Sequence, residues 1–152
     1  MIQNLLGPLS GAESIAWVQQ LFGVHPLPFR LLSLPGDLWG ILLAIAIARW
    51  YFGPRPAAAI AVATALAAPV RLGLAALFAV PRPADPGITV FEHPEIAAFP
   101  SGHTLHAVVA WGVLAATTRV PYAVAVLAAV ATGLGRVYLG VHWLSDALGG
   151  LA

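Results

Sequence analysis

The chain has 152 residues, of which 60% are hydrophobic and 9% charged, against about 45–50% and about 25% in ordinary soluble domains. Seven Arg, no Lys and six acids cannot coat a soluble domain this small, so the bilayer is the expected solvent. A net charge of +1 excludes the basic face of a nucleic-acid binder, and the lack of Cys excludes disulfides, thiolate catalysis and Cys-ligated metals.

Met1–Ala16 has no basic region ahead of an apolar stretch, and Gln3, Asn4, Pro8 and Glu13 interrupt it. It does not read as a cleavable signal, so insertion is expected to depend on later helices. Ser14–Leu34 is only moderately apolar and reads as an interfacial or partly inserted helix ending near His25-Pro26. Leu38–Phe52 is strongly apolar, with Trp50 and Tyr51 where an aromatic belt falls. Gly53-Pro54-Arg55-Pro56 predicts a tight turn. Ala57–Val80 then runs 24 residues, enough to cross a core of about 30 Å, with Arg71 its only charge.

Pro81–Pro100 collects five Pro-interrupted polar positions, Arg82, Asp85, Glu92, His93 and Glu95, and reads as an ordered loop outside the hydrocarbon. Apolar character returns from Thr104 to Thr118, turns at Arg119-Val120-Pro121 and continues to about Leu134. These spans are short, but charged residues at their ends can snorkel. A helix starting near His142 and ending at Ala152 would be only about 16 Å long. The expectation is therefore a fragment or an incomplete last helix. The sequence predicts an all-α, integral-membrane bundle of five to six helices in one domain over residues 1–152. Its first helix is interfacial and its last truncated. Arg49, Arg55 and Arg119 sit in short turns that the positive-inside rule makes cytoplasmic, placing Pro81–Pro100 and the Leu134–His142 turn on the opposite face.

Three clusters carry chemistry: Pro81-Arg82-Pro83, Pro100-Ser101-Gly102-His103, and Arg136-x5-His142-x3-Asp146. Pro-Ser-Gly-His precedes an apolar helical run, whose free N–H groups and positive dipole end favour an anion. Ser101 can cap that helix and donate to an oxyanion, and His103 stands in its first turn. His142 and Asp146, four apart, share a face on a helix. A carboxylate at one imidazole nitrogen leaves the other free to attack. Arg136 is out of phase with His142 on one continuous helix and belongs before or at the helix start, with Gly140 permitting a bend. Arg82 and Arg136 offer forked donors for phosphate oxygens. Together these form a phosphoryl-transfer site in which His142 attacks phosphorus and His103 protonates the leaving oxygen, with no metal or other cofactor required.

In this order, within apolar helices, the three motifs resemble the type 2 phosphatidic acid phosphatase superfamily over about Gln19 to Ala152. The resemblance implies a membrane phosphatase acting on a lipid phosphate or prenyl diphosphate, such as undecaprenyl diphosphate, on the extracytoplasmic face of a bacterial-type plasma membrane. It makes His142 the nucleophile, Asp146 its orienting partner and His103 the acid, with Arg82, Ser101, Gly102 and Arg136 binding phosphate. Two positions depart from the pattern. Gly135 precedes Arg136 where the family has Ser, and Ala75 occupies the lysine position of Lys-x6-Arg-Pro. Arg71, one turn earlier on the same face, is the expected partial substitute.

Plainer readings stand beside these. Ser101 can be an N-cap alone, and His142 with Asp146 a satisfied buried pair. His106 suits polar helix packing better than catalysis. Glu92-His93-x-Glu95 lacks metalloprotease spacing and reads as a solvated loop. Gly149-Gly150 suits close helix packing. The alternatives for function are a phosphotransferase using the same site and an inactive lipid-phosphate-binding protein. A soluble vanadium haloperoxidase relative is discounted on composition. The exact lipid and the oligomeric state are not encoded legibly.

Overall fold

A computed structural model describes residues 11–23 and 25–152. The reading of the N-terminal segment rests largely on residues outside that range. Among the described residues every regular element is helical. The first helix, expected to end near His25-Pro26, is α1 (Ala12–Phe22), and a further helix that the sequence did not announce, α2 (Pro26–Ser33), follows it. Gly23 leaves α1 at φ 70°, and Pro26, which lacks an N–H and has a fixed φ, starts a helix better than it continues one. A 3₁₀ turn, Leu34–Gly36, leads to α3 (Leu38–Ile47), capped by the Asp37 carboxylate accepting from the Leu38 N–H. A π-helical turn, Ala48–Phe52, extends α3 to Gly53. The α2 and α3 segments meet at a 50° bend.

The 25-residue helix α4 (Pro54–Phe78) is the one described helix that is by itself long and apolar enough to cross a membrane. It is followed by α5 (Gly102–Thr117), α6 (Tyr122–Tyr138) and α7 (Leu144–Leu151). The described chain thus holds seven α-helices where the sequence predicted five to six, the added one being α2 after His25. At eight residues α7 is about 12 Å long.

Helix α5 is central, packing on α3, α4, α6 and α7. Its Ala110 and Leu114 join Ala44, Ala48, Ala57 and Ile60 in one core cluster, against which Val120 also packs. That cluster draws the Arg49–Arg55 and Arg119 connections to the same end of the bundle. Small side chains dominate these contacts, which lets the backbones approach closely. Large apolar side chains point outward instead: Trp50 is 84% exposed and Leu77 74%. Arg71, Arg136, His142 and Asp146 are buried. Apolar outside and charged inside is the distribution a lipid solvent favours.

At the opposite end the 81–100 segment folds over the helix termini as an ordered loop. Ala98 N–H donates to Val80 C=O (2.8 Å) and Phe91 N–H to Leu139 C=O (3.0 Å). Gln19 donates to both the Thr89 and Tyr138 carbonyls at 2.7 Å and accepts from the Thr89 N–H. Gly140 makes the bend after α6 at φ 69°, and a Cβ there would stand 2.5 Å from the Thr89 carbonyl oxygen. A larger residue would be strained twice over.

Candidate active site

Three segments meet beneath that loop: the extended chain after α4, the start of α5, and the turn from α6 to α7. Arg71, Arg82, Gly102, His103, Arg136 and His142 all line one cavity of about 550 Å³.

Arg82 is fixed by backbone carbonyls from two of these segments. Its Nε donates to Ile96 C=O (2.8 Å) and its Nη1 to Val141 C=O (2.5 Å). The same Nη1 lies 3.3 Å from His142 Nε2. On the far side of the ring, His142 Nδ1 is 3.4 Å from Asp146 Oδ2. That oxygen accepts from the Trp143 N–H (2.8 Å), while the Asp146 carbonyl accepts from the Ser101 N–H (2.9 Å). The carboxylate, the turn and the start of α5 are thereby tied together. The sequence placed His142 and Asp146 on one helix. The structure corrects this: α7 begins at Leu144 with Trp143 as its cap, and His142 reaches Asp146 from the preceding turn.

Burial pushes the His142 imidazole well below its ordinary pKa, and the Arg82, Arg136 and Arg71 charges push the same way. The ring is therefore neutral at pH 7, with one nitrogen facing the carboxylate and the other facing the cavity. Arg82 is lowered to about 10, by burial first and then by Arg71 and Arg136, and remains a cation.

Ser101 caps α5 by accepting from the Thr104 N–H (3.4 Å) and from Thr104 Oγ1 (3.0 Å). It is fully buried and is not part of the cavity wall, so the structure supports its capping role and leaves the anion face to Gly102. Arg71 reaches that face from α4. Its Nη2 donates to Ala97 C=O (3.1 Å) and its Nε to Pro100 C=O (3.4 Å), and a Cβ on Gly102 would lie 3.1 Å from the Arg71 Nε. Ala75, where the motif has lysine, is buried. Arg136 occupies the last turn of α6, before the bend, as its phase with His142 required.

Sequence reasoning missed Glu92. It is not merely solvated: its carboxylate spans Arg136 Nη1 (3.0 Å) and Arg30 Nε (3.4 Å). Partners 44 and 62 positions away leave no local signal. Among the described residues, no three His, Asp or Glu gather as a metal-binding group. His106 also borders the cavity, and its Nε2 is buried without a partner among the described residues. Gly150 permits the expected close packing, since a Cβ there would lie 2.8 Å from the Ser101 carbonyl oxygen.

Residues 38–152 match the PAP2 superfamily. The chain belongs to that family. Within the PAP2 superfamily it is 33% identical over 78 residues to phosphatidylglycerophosphatase B of Bacillus subtilis (strain 168), a match covering 44% of this chain and 38% of that protein. The chain thus spans well under half the length of this curated relative in the matched region. Its fold resembles that of a transmembrane PAP2-type phosphatidylglycerolphosphate phosphatase from Bacillus subtilis. The TM-score is 0.69 at 20% identity, covering 98% of this chain and 83% of the other. The departure from the PAP2 pattern at Gly135 has a packing cause. A Cβ at this position would collide with Ser33 Oγ and lie 2.6 Å from the Phe29 carbonyl oxygen, so glycine lets α2 press against α6.

Proposed function

We propose that the chain is a membrane-embedded lipid phosphatase that works through a phosphohistidine. The observation that carries this reading is the placing of His142 Nε2, 3.3 Å from an Arg82 nitrogen, on the wall of a cavity shared with His103, Arg136 and Gly102. The substrate phosphate occupies that cavity, its oxygens held by Arg82, Arg136, Arg71 and the N–H groups at the start of α5. His142 Nε2 forms a bond to phosphorus as the ester P–O bond breaks, and His103 protonates the departing alcohol oxygen. Asp146 steadies the imidazolium that develops. Water, deprotonated by His103, then cleaves the P–N bond and releases phosphate and free His142. Guanidinium groups and backbone dipoles supply the charge stabilisation this displacement needs, without a metal.

The site opens on the extracytoplasmic side in this reading, because Arg49, Arg55 and Arg119 gather at the other end of the bundle. The substrate is a lipid phosphate, with the phosphatidylglycerol phosphate of the named relative as the first candidate. The test is a phosphate-release panel on phosphatidylglycerophosphate, phosphatidate and undecaprenyl diphosphate, run in EDTA and without added alcohol. Release in EDTA supports the reading. Activity lost in EDTA removes metal independence, and release only with an alcohol acceptor makes the chain a phosphotransferase. Binding of these lipids without release makes it an inactive binder.

A further inference from the structure

Gln19, on α1, stands ahead of all three motifs, yet its side-chain amide joins three distant parts of the chain. Its Nε2 donates to the Thr89 carbonyl of the loop and to the Tyr138 carbonyl at the end of α6, both at 2.7 Å. Its Oε1 accepts from the Thr89 N–H at 2.9 Å. Both donors and the acceptor of the amide are thus engaged with backbone. The last carbonyls of a helix have no partner within it, and around this bend they are satisfied from outside. Gln19 serves Tyr138, the Phe91 N–H serves Leu139 (3.0 Å), and Arg82 serves Val141 (2.5 Å).

That bend separates Arg136 from His142. The Thr89 carbonyl, held by Gln19, presses on it at Gly140, where a Cβ would stand 2.5 Å away. Ile15, one turn earlier on α1, is fully buried against Val137 and Ala147, at either end of the turn that carries His142. The Tyr138 ring stacks on Phe29 with centroids 3.5 Å apart, and its hydroxyl accepts from the His25 N–H (2.9 Å) and donates to the Gly23 carbonyl. Gln19 itself does not line the cavity. Resting on the phosphohistidine reaction proposed above, we propose that Gln19 is a positioning residue. By gripping Thr89 and Tyr138 together, it sets where His142 Nε2 stands relative to a phosphate held by Arg82 and Arg136. Misplacing an attacking atom by about 1 Å can cost about 10²-fold in rate. The charge contacts that hold the ground-state phosphate tolerate such a shift better.

The experiment compares two inhibitors of the full chain in detergent, without EDTA. Vanadate adopts the five-coordinate geometry of the transferring phosphoryl group, and inorganic phosphate does not. Inhibition constants do not depend on the fraction of active protein, so simple destabilisation leaves them unmoved. The native protein is expected to bind vanadate about 10²-fold or more tightly than phosphate, through an added apical bond to His142 Nε2. Gln19→Leu removes donors and acceptor at similar side-chain size. It should cut that ratio about tenfold through vanadate alone, and lower kcat on phosphatidylglycerophosphate about tenfold with KM within about twofold. Tyr138→Phe loses the hydroxyl bonds but keeps the Tyr138 carbonyl. It should lower Tm and leave the ratio within about twofold of native. Gln19→Glu, which keeps the acceptor and loses the donors, replaces Gln19→Leu if that variant aggregates. An unchanged ratio in the Gln19 variant, an equal weakening of both anions, or an equal change in Tyr138→Phe overturns the inference while the phosphatase reading stands. A native protein that binds vanadate no better than phosphate overturns the histidine-nucleophile reading itself.

Discussion

His142 Nε2 lies 3.3 Å from the Arg82 nitrogen that also donates to the Val141 carbonyl, so one guanidinium both holds the turn and faces the ring. Arg82→Lys offers a single ammonium in place of a fork that already satisfies Ile96 and Val141. The expected result is a fall in kcat/KM of about 10²-fold, with the protein still folded by thermal unfolding. A Lys variant at native rate would separate Arg82 from phosphate binding.

Arg71 stands against Gly102, and Ala75 at the motif lysine position is buried. If Arg71 serves in place of that lysine, Arg71→Ala lowers kcat/KM by about 10²-fold, as removal of a charge-stabilising donor does. Ala75→Lys in the Arg71→Ala background recovers part of the loss. An unaffected Arg71→Ala rate ends the substitution idea.

The depressed pKa of His142 fixes the sign of a pH effect. In the unfolded chain His takes up a proton below about 6.5, and the folded ring resists doing so. The unfolded state therefore binds more protons in that range, and stability contributed at this position declines as pH falls below about 6.5. Melting curves in detergent from pH 8 to 5 should show a steeper loss of Tm for the native protein than for His142→Asn. Parallel curves would contradict the burial of a neutral ring.

Gly135→Ser restores the family residue but drives its side chain into Ser33 and the Phe29 carbonyl. Overpacking of this kind costs about 1–3 kcal/mol, so Tm should fall, and Ser33→Gly should restore part of it. A Gly135→Ser protein as stable as the native one would show that α2 can move away freely.

The residues that make the site were legible because their chemistry is local. Pro100–His103 announces a helix start, and the spacing from Arg136 to Asp146 places an arginine, an imidazole and a carboxylate about one bend. Two features were read differently from what the fold holds. His142 was placed on the last helix, because an i, i+4 pair is helical by default, whereas Trp143 caps that helix and leaves His142 in the turn. The stretch after His25-Pro26 was not read as a helix, because its prolines mark an end, whereas Pro26 at the first position starts α2. Glu92 was illegible as a site residue. Its partner, Arg136, comes to it only through tertiary packing at Gly135.

The central claim is that His142 Nε2 takes the phosphoryl group. Rapid acid-free quenching of the enzyme with phosphatidylglycerophosphate labelled in its terminal phosphate tests it most directly. The account predicts protein-bound label that is stable in alkali, labile in acid and mapped to His142, with none in His142→Ala. Label retained by the alanine variant, or turnover there at the native rate, would contradict it.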